Sequence, residues 1–122
     1  MTPVTIVLTA QPTSDVTVGL SSNDTTEGTV SPTSVTFTSG NWSTPQTVTV
    51  TGANDDLDDG DTAYTVTTGA ATSGDGNYNG VNPTDASATN TDNDTSGITV
   101  TPTSGLVTTE AGGTATFTVV LD

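Results

Sequence analysis

The chain has 122 residues, 14 acidic side chains, no lysine, arginine, histidine or cysteine, and a formal charge of −14. This excludes Ser-His and Cys-His nucleophile pairs, Schiff-base lysines, thiolate or imidazole metal sites and the lysine of a phosphate-binding loop, so an enzyme is not expected. A polyanion of this kind repels nucleic acid and anionic membrane surfaces, and no stretch approaches the roughly 20 apolar residues of a membrane span.

Leu, Ile, Val and Phe make up roughly a fifth of the residues, and aromatics only 4%. Order therefore depends on where the apolar residues fall. They fall on alternate positions, the period of a strand with one buried face. Taken along the chain, the alternation predicts strands at Val4/Ile6/Leu8, Val16/Val18/Leu20, Val35/Phe37, Val48/Val50, Tyr64/Val66, Ile98/Val100 and Phe117/Val119/Leu121. Threonine fills most intervening positions, where a β-branched side chain suits an exposed pleated face. Trp42, beside the Val35/Phe37 strand, is expected to plug the core next to Phe37. Clusters of Gly, Pro, Asn, Asp and Ser separate these strands, and no window carries a helical stripe. The expected fold is an all-β antiparallel sandwich of about seven strands.

An internal repeat is visible. Residues Phe117 to Leu121 (FTVVL) line up with Val4 to Leu8 (VTIVL), an offset of about 113 residues, which suits one sandwich module. The chain then reads as one repeat period cut out of phase. Residues 1–94 form a module lacking its first strand, and residues 95–122 supply the opening strands of a next repeat. Two copies of one strand cannot share one slot, so the C-terminal piece either completes a neighbouring copy or belongs to a longer tandem array. Both arrangements give a linear assembly with further copies as partners; the alternative is a single domain in which residues 97–122 pack back on residues 1–94 and the N-terminal strand is displaced or pairs at an edge.

Five carboxylates fall within seven residues in Asn54-Asp55-Asp56-Leu57-Asp58-Asp59-Gly60-Asp61, between two strands. Like charges about 4–5 Å apart repel by several kcal/mol at an effective dielectric near 20. No basic side chain relieves them. Oxygen-only donors select hard cations, and Ca2+ tolerates irregular ligand sets better than Mg2+ does. The loop is not an EF-hand, since placing Gly60 at the sixth position puts Leu57 at the third and Val66 at the twelfth. A second segment, Asp75-Gly76-Asn77-Tyr78-Asn79-Gly80, matches the first half of that pattern, with Ala86 at its twelfth position. Asp75, Asn77 and Asn79 are thus either a second metal loop or an Asn-Gly turn anchored by Tyr78. A third group is Asp92-Asn93-Asp94, at the expected joint, and Glu110 precedes a Gly-Gly turn.

The run TTEAGGTATFTVVL, the loop NDDLDDGDTAYTV after a TVTV strand, and the closing TDND together resemble the Calx-beta module, in permuted phase over nearly the whole chain. The resemblance implies an Ig-like β-sandwich with Ca2+ bound at one end. Its ligands would be Glu110 from the opening strand, Asp55, Asp56, Asp59 and Asp61 from the acidic loop, and Asp92 and Asp94 from the closing triplet. Thr62 and Asn93 stand where the family pattern carries further acidic residues, which reduces the charge on offer. Calcium at the joint between modules would stiffen a flexible string into a rod. The resulting expectation is a non-enzymatic, calcium-binding structural repeat of an extracellular or cell-surface stalk or filament. A ligand-binding adhesin module is the alternative; it needs a concave or aromatic-lined site, and none is evident in the sequence.

Overall fold

The computed structural model describes residues Thr2–Asp122, and among them every regular element is a strand. The strands are β1 (Thr2–Ile6), β2 (Val16–Ser22), β3 (Gly28–Ser31), β4 (Ser34–Phe37), β5 (Gln46–Gly52), β6 (Thr62–Thr68), β7 (Thr72–Ser73), β8 (Ala86–Asn90), β9 (Ile98–Thr101) and β10 (Thr118–Leu121). By their contacts the residues divide into two units. The first runs up to Asp55 and resumes over Asp61–Thr91; the second joins Asp56–Gly60 to Asp92–Asp122.

The first unit holds two antiparallel sheets, ordered β1-β5-β3 and β4-β2-β6-β8, with β7 also paired to β2. Alternation sets the registers, because a slip of one residue would turn every apolar side chain to the other face. Val4 lies opposite Val48, Val30 opposite Val50, Val16 opposite Phe37, and Val18 opposite Val35. Val16, Val18, Val35, Phe37, Val48 and Val50 join Leu20, Tyr64, Val66 and Ala71 in one buried cluster drawn from both sheets, and Val4 and Val30 pack against it half-buried. This all-β, antiparallel, two-sheet core is the arrangement of a β-sandwich. On the outward positions threonines pair across strands, as where the Thr17 and Thr36 hydroxyls lie 3.2 Å apart.

Among the described residues ten strands are present where the alternation marks about seven. All seven marked segments contain a strand, although Leu8 lies beyond the end of β1 and Phe117 before the start of β10. The additional ones, β3, β7 and β8, carry little alternating apolar bulk: β7 has two residues, β3 has one valine, and β8 presents only Ala86 and Ala88 to the core. Small residues serve in β3 for a steric reason. A Cβ on Gly28 would lie 2.2 Å from the Tyr64 hydroxyl and 2.3 Å from its ring, so the close approach that buries Tyr64 requires glycine. Trp42 departs from expectation. It is half-buried and outside the core cluster; it sits in a turn, and its carbonyl accepts the Leu8 N–H at 3.2 Å.

The second unit contains one two-stranded antiparallel sheet, β9 with β10, in the register Ile98–Leu121, Thr99–Val120, Val100–Val119 and Thr101–Thr118. Every residue of both strands is exposed. The sequence boundary at 94/95 and the contact boundary differ by three residues at this point, and the contact division also draws in Asp56–Gly60. Asp92 goes with the second unit because its carboxylate is tied there, to the Gly60 and Asp94 N–H groups.

Candidate functional site

The acidic loop between β5 and β6 is shared between the units. Asp55 and Asp61 belong to the first, whereas Asp56 and Asp59, with Leu57, Asp58 and Gly60, belong to the second. Gly60 adopts φ of 80°, which allows the loop to turn so that its N–H donates to Asp92 Oδ2 at 2.7 Å. The Asp94 N–H donates to Asp92 Oδ1 at 2.9 Å. These backbone donors, Asp94 first and then Gly60, hold the Asp92 carboxyl below the ordinary carboxylate range. Asp58 is used in the same way: its Oδ2 accepts both the Ser96 N–H and the Ser96 hydroxyl, each at 2.9 Å. The carboxylates thus knit Asp56–Gly60 to Asp92–Ser96 through charge-assisted hydrogen bonds.

Within this unit a recess of about 600 Å³ is lined by Asp56, Leu57, Asp58, Asp94, Thr95, Ser96, Leu121 and Asp122. Four carboxylates thus border one hollow, in a chain with no basic side chain. Of the expected ligands, Asp56 and Asp94 line it and Asp92 braces its wall. Glu110 is not among the lining residues; it sits on the tight turn Thr109–Gly113, closed by the Gly112 N–H to the Thr109 carbonyl at 3.0 Å. Among the described residues no three acidic side chains are gathered closely enough to hold a metal ion as they stand. Asp58 and Asp122, outside the ligand set that the resemblance implies, also border the recess. Asp58 lies within the acidic run itself. Asp122 arrives by strand pairing, its N–H donating to the Gly97 carbonyl at 2.9 Å and its Oδ1 accepting the Thr99 hydroxyl.

The second candidate loop is tied up by its own backbone. Asp75 is buried, its Oδ2 accepting the Thr13 N–H at 3.0 Å and its Oδ1 the Asn77 N–H at 2.9 Å. These bonds, Thr13 first, lower its pKa from the ordinary value. The Asn79 side-chain oxygen accepts the Ser73 N–H at 3.2 Å, while Tyr78 reaches across to exchange hydrogen bonds with the Ala10 backbone. The segment has the bonding of a turn anchored by Tyr78, and Asp75 spends one carboxylate oxygen on Thr13 and the other on Asn77 of its own turn. Glu27 has a comparable part, accepting the Asn90 side-chain amide at 3.1 Å while that amide also donates to the Ala53 carbonyl at 2.8 Å.

Away from the acidic groups, the first unit has a slot of about 570 Å³ between strands of its two sheets. It is bounded by Val4 of β1, Val50 of β5, Tyr64 and Val66 of β6, and the β8 residues from Ala86 to Asn90. None of its lining residues is charged. Both β1 and β8 are terminal strands of their sheets. In the second unit the pairing puts Ile98, Val100, Val119 and Leu121 on one face, with exposures of 67%, 39%, 60% and 77%. Phe117, two residues before Val119, is 57% exposed. No family model matches the chain, and no curated protein or solved structure matches it.

Proposed function

We propose that the protein is a non-catalytic structural module of a linear extracellular assembly, an Ig-like sandwich of the Calx-beta kind that takes Ca2+ as its countercharge. The observation that carries this reading is the bordering of one recess by Asp56, Asp58, Asp94 and Asp122 in a chain of charge −14 with no basic residue. Their oxygens are hard donors, the chemistry that suits Ca2+. Since no three acidic side chains among the described residues are gathered closely enough to hold an ion as they stand, Asp56, Asp94 and Asp122 would have to draw together around it, with Asp58 sharing its carboxylate with Ser96. The ion supplies positive charge only. The chain's own residues do the structural work: Asp92, through the Gly60 and Asp94 N–H groups, keeps the two acidic segments side by side.

The strand orders β1-β5-β3 and β4-β2-β6-β8 support the Ig-like part of the reading. The absence of His, Lys, Arg and Cys supports a structural over a catalytic role. In an extracellular setting the affinity would be that of extracellular Ca2+ modules, Kd of about 10⁻⁴–10⁻³ M, which millimolar external Ca2+ saturates.

Thermal melting with 10 mM Ca2+, with chelator, and with NaCl at matched ionic strength tests the proposal. At that Kd, 10 mM Ca2+ stabilises by about 1.4–2.7 kcal/mol. Melting should rise by several degrees with Ca2+, fall back with chelator, and lose its Ca2+ response in the triple variant Asp56→Asn, Asp58→Asn, Asp94→Asn. A melting temperature indifferent to Ca2+ and chelator would remove the calcium part of the reading.

A further inference from the structure

The exposed face of β9 and the slot beside β1 lie in different units, and the internal repeat connects them. Strand β10 and the β1 region are equivalents, Phe117–Leu121 aligning with Val4–Leu8. Strand β9 pairs with β10, and so already recognises a strand of the β1 type. In the first unit, β1 has β5 on one edge and no strand on the other among the described residues. That edge borders the uncharged slot, into which Val4 projects.

We infer that β9 of one copy of this chain adds to the unpaired edge of β1 in a second copy, antiparallel, with Ile98 opposite Leu8, Thr99 opposite Val7, Val100 opposite Ile6 and Thr101 opposite Thr5. The register is the observed β9–β10 register carried across the 113-residue offset. It also satisfies the face requirement independently. Val4, Ile6 and Leu8 pack against the core while Thr5 and Val7 are exposed, so pairing Val100 with Ile6 and Ile98 with Leu8 places both apolar residues on the slot side. Strand β9 is the donor rather than β10, because a β1-type strand would compete for the place β1 holds.

Charge selects the occupant. Two copies of charge −14 repel each other except where their surfaces carry no charge, and β9, β1 and the slot lining are all without an ionisable acid or base apart from the tyrosine hydroxyl. The present partner of β9 is easily given up. An isolated two-stranded sheet is marginally stable in water, whereas β9 beside β1 joins a sheet that already has three strands and a covered face. The same exchange can repeat from copy to copy, so the contact extends a chain of molecules unless its rotation closes. The inference deepens the structural-module reading by naming the partner and the strand, and it does not depend on calcium.

The chain has no cysteine, so engineered pairs report without background. A tagged Val7→Cys protein is mixed with a differently tagged Thr99→Cys protein under mild oxidation, with Ca2+ and again with chelator. Directly opposed antiparallel residues have Cα atoms about 4.5–5.5 Å apart, within disulfide reach. The expected result is a mixed disulfide as the main product in both conditions. Thr5→Cys mixed with Thr99→Cys, displaced by two residues and about 7 Å along the strand, should give little. In the Thr99→Cys partner, an added Val100→Asp should abolish the product while leaving the melting of the first unit unchanged. Failure of the Val7–Thr99 pair to cross-link, equal cross-linking by the displaced pair, or indifference to Val100→Asp would each overturn the strand assignment. A Ca2+-dependent melting shift without the cross-link would remove β9 exchange and leave the structural-module reading standing.

Discussion

The chain contains two phenylalanines, and their surroundings are opposite enough to make a controlled experiment. Phe37 ends β4, has no exposed surface, and lies opposite Val16, itself fully buried. Phe117 precedes β10 and is 57% exposed. Truncating a buried phenylalanine to alanine costs about 3–5 kcal/mol, the transfer term plus the cavity left behind. The upper end applies to Phe37, because the buried cluster it belongs to is mostly valine on strands, whose branched side chains have little rotamer freedom with which to fill the hole. A first unit of roughly 85 residues has a stability of about 4–13 kcal/mol, so Phe37→Ala removes a third of it or more. The melting temperature should fall by about 15–30 °C. Phe117→Ala should change stability by less than about 0.5 kcal/mol, as surface substitutions do. Urea unfolding followed by Trp42 fluorescence measures both. A loss below about 1 kcal/mol for Phe37→Ala, or an equal loss for the two variants, would refute the assignment of the core to the first unit alone.

Two further outcomes follow from close contacts and from charge. Gly28→Ala puts a methyl group 2.2 Å from the Tyr64 hydroxyl and should cost about 1–3 kcal/mol in urea unfolding, an overpacking loss; stability equal to the parent would show that Tyr64 has room to move. Asp75 and Asp92 have folded pKa values below their unfolded ones, so the hydrogen bonds they accept stabilise fully above the ordinary carboxylate value and are lost as pH falls through the depressed folded value. Stability should therefore decline as pH drops below about 4, and Asp75→Asn should be less stable than the parent at pH 7 with the gap narrowing in acid. A gap independent of pH would mean that the Asp75 charge contributes nothing.

How much of this was legible in the sequence depends on the size of the side chains that carry the signal. Valine, leucine and phenylalanine at alternate positions mark β2, β4 and β5 plainly, because each buried side chain is large enough to set the face. Strand β8 escapes the same reading because Ala86 and Ala88 bury little, and it is held by its pairing with Tyr64 and Val66. Trp42 misleads for the converse reason: its bulk suggests the core, but a turn holds it at the margin. In the acidic segments the density of charge is evident from the residues alone, whereas the destination of each oxygen is not. Backbone N–H groups compete for carboxylates, and at Asp92 and Asp75 they occupy both oxygens. That competition is settled by the positive φ of Gly60 and by the proximity of Thr13, neither of which spacing reveals.

Asp56–Gly60 lies, along the chain, inside the first unit and has its contacts in the second. A gene segment ending at Thr91 would therefore encode a loop parted from the residues that receive it, and one starting at Asp92 would encode the receiving half without the loop. Only a piece that runs from before Asp56 to beyond Asp92 carries both. Any break of the chain between residues 61 and 91 therefore separates the loop from the segment it is bonded to, although it leaves β9 and β10 whole.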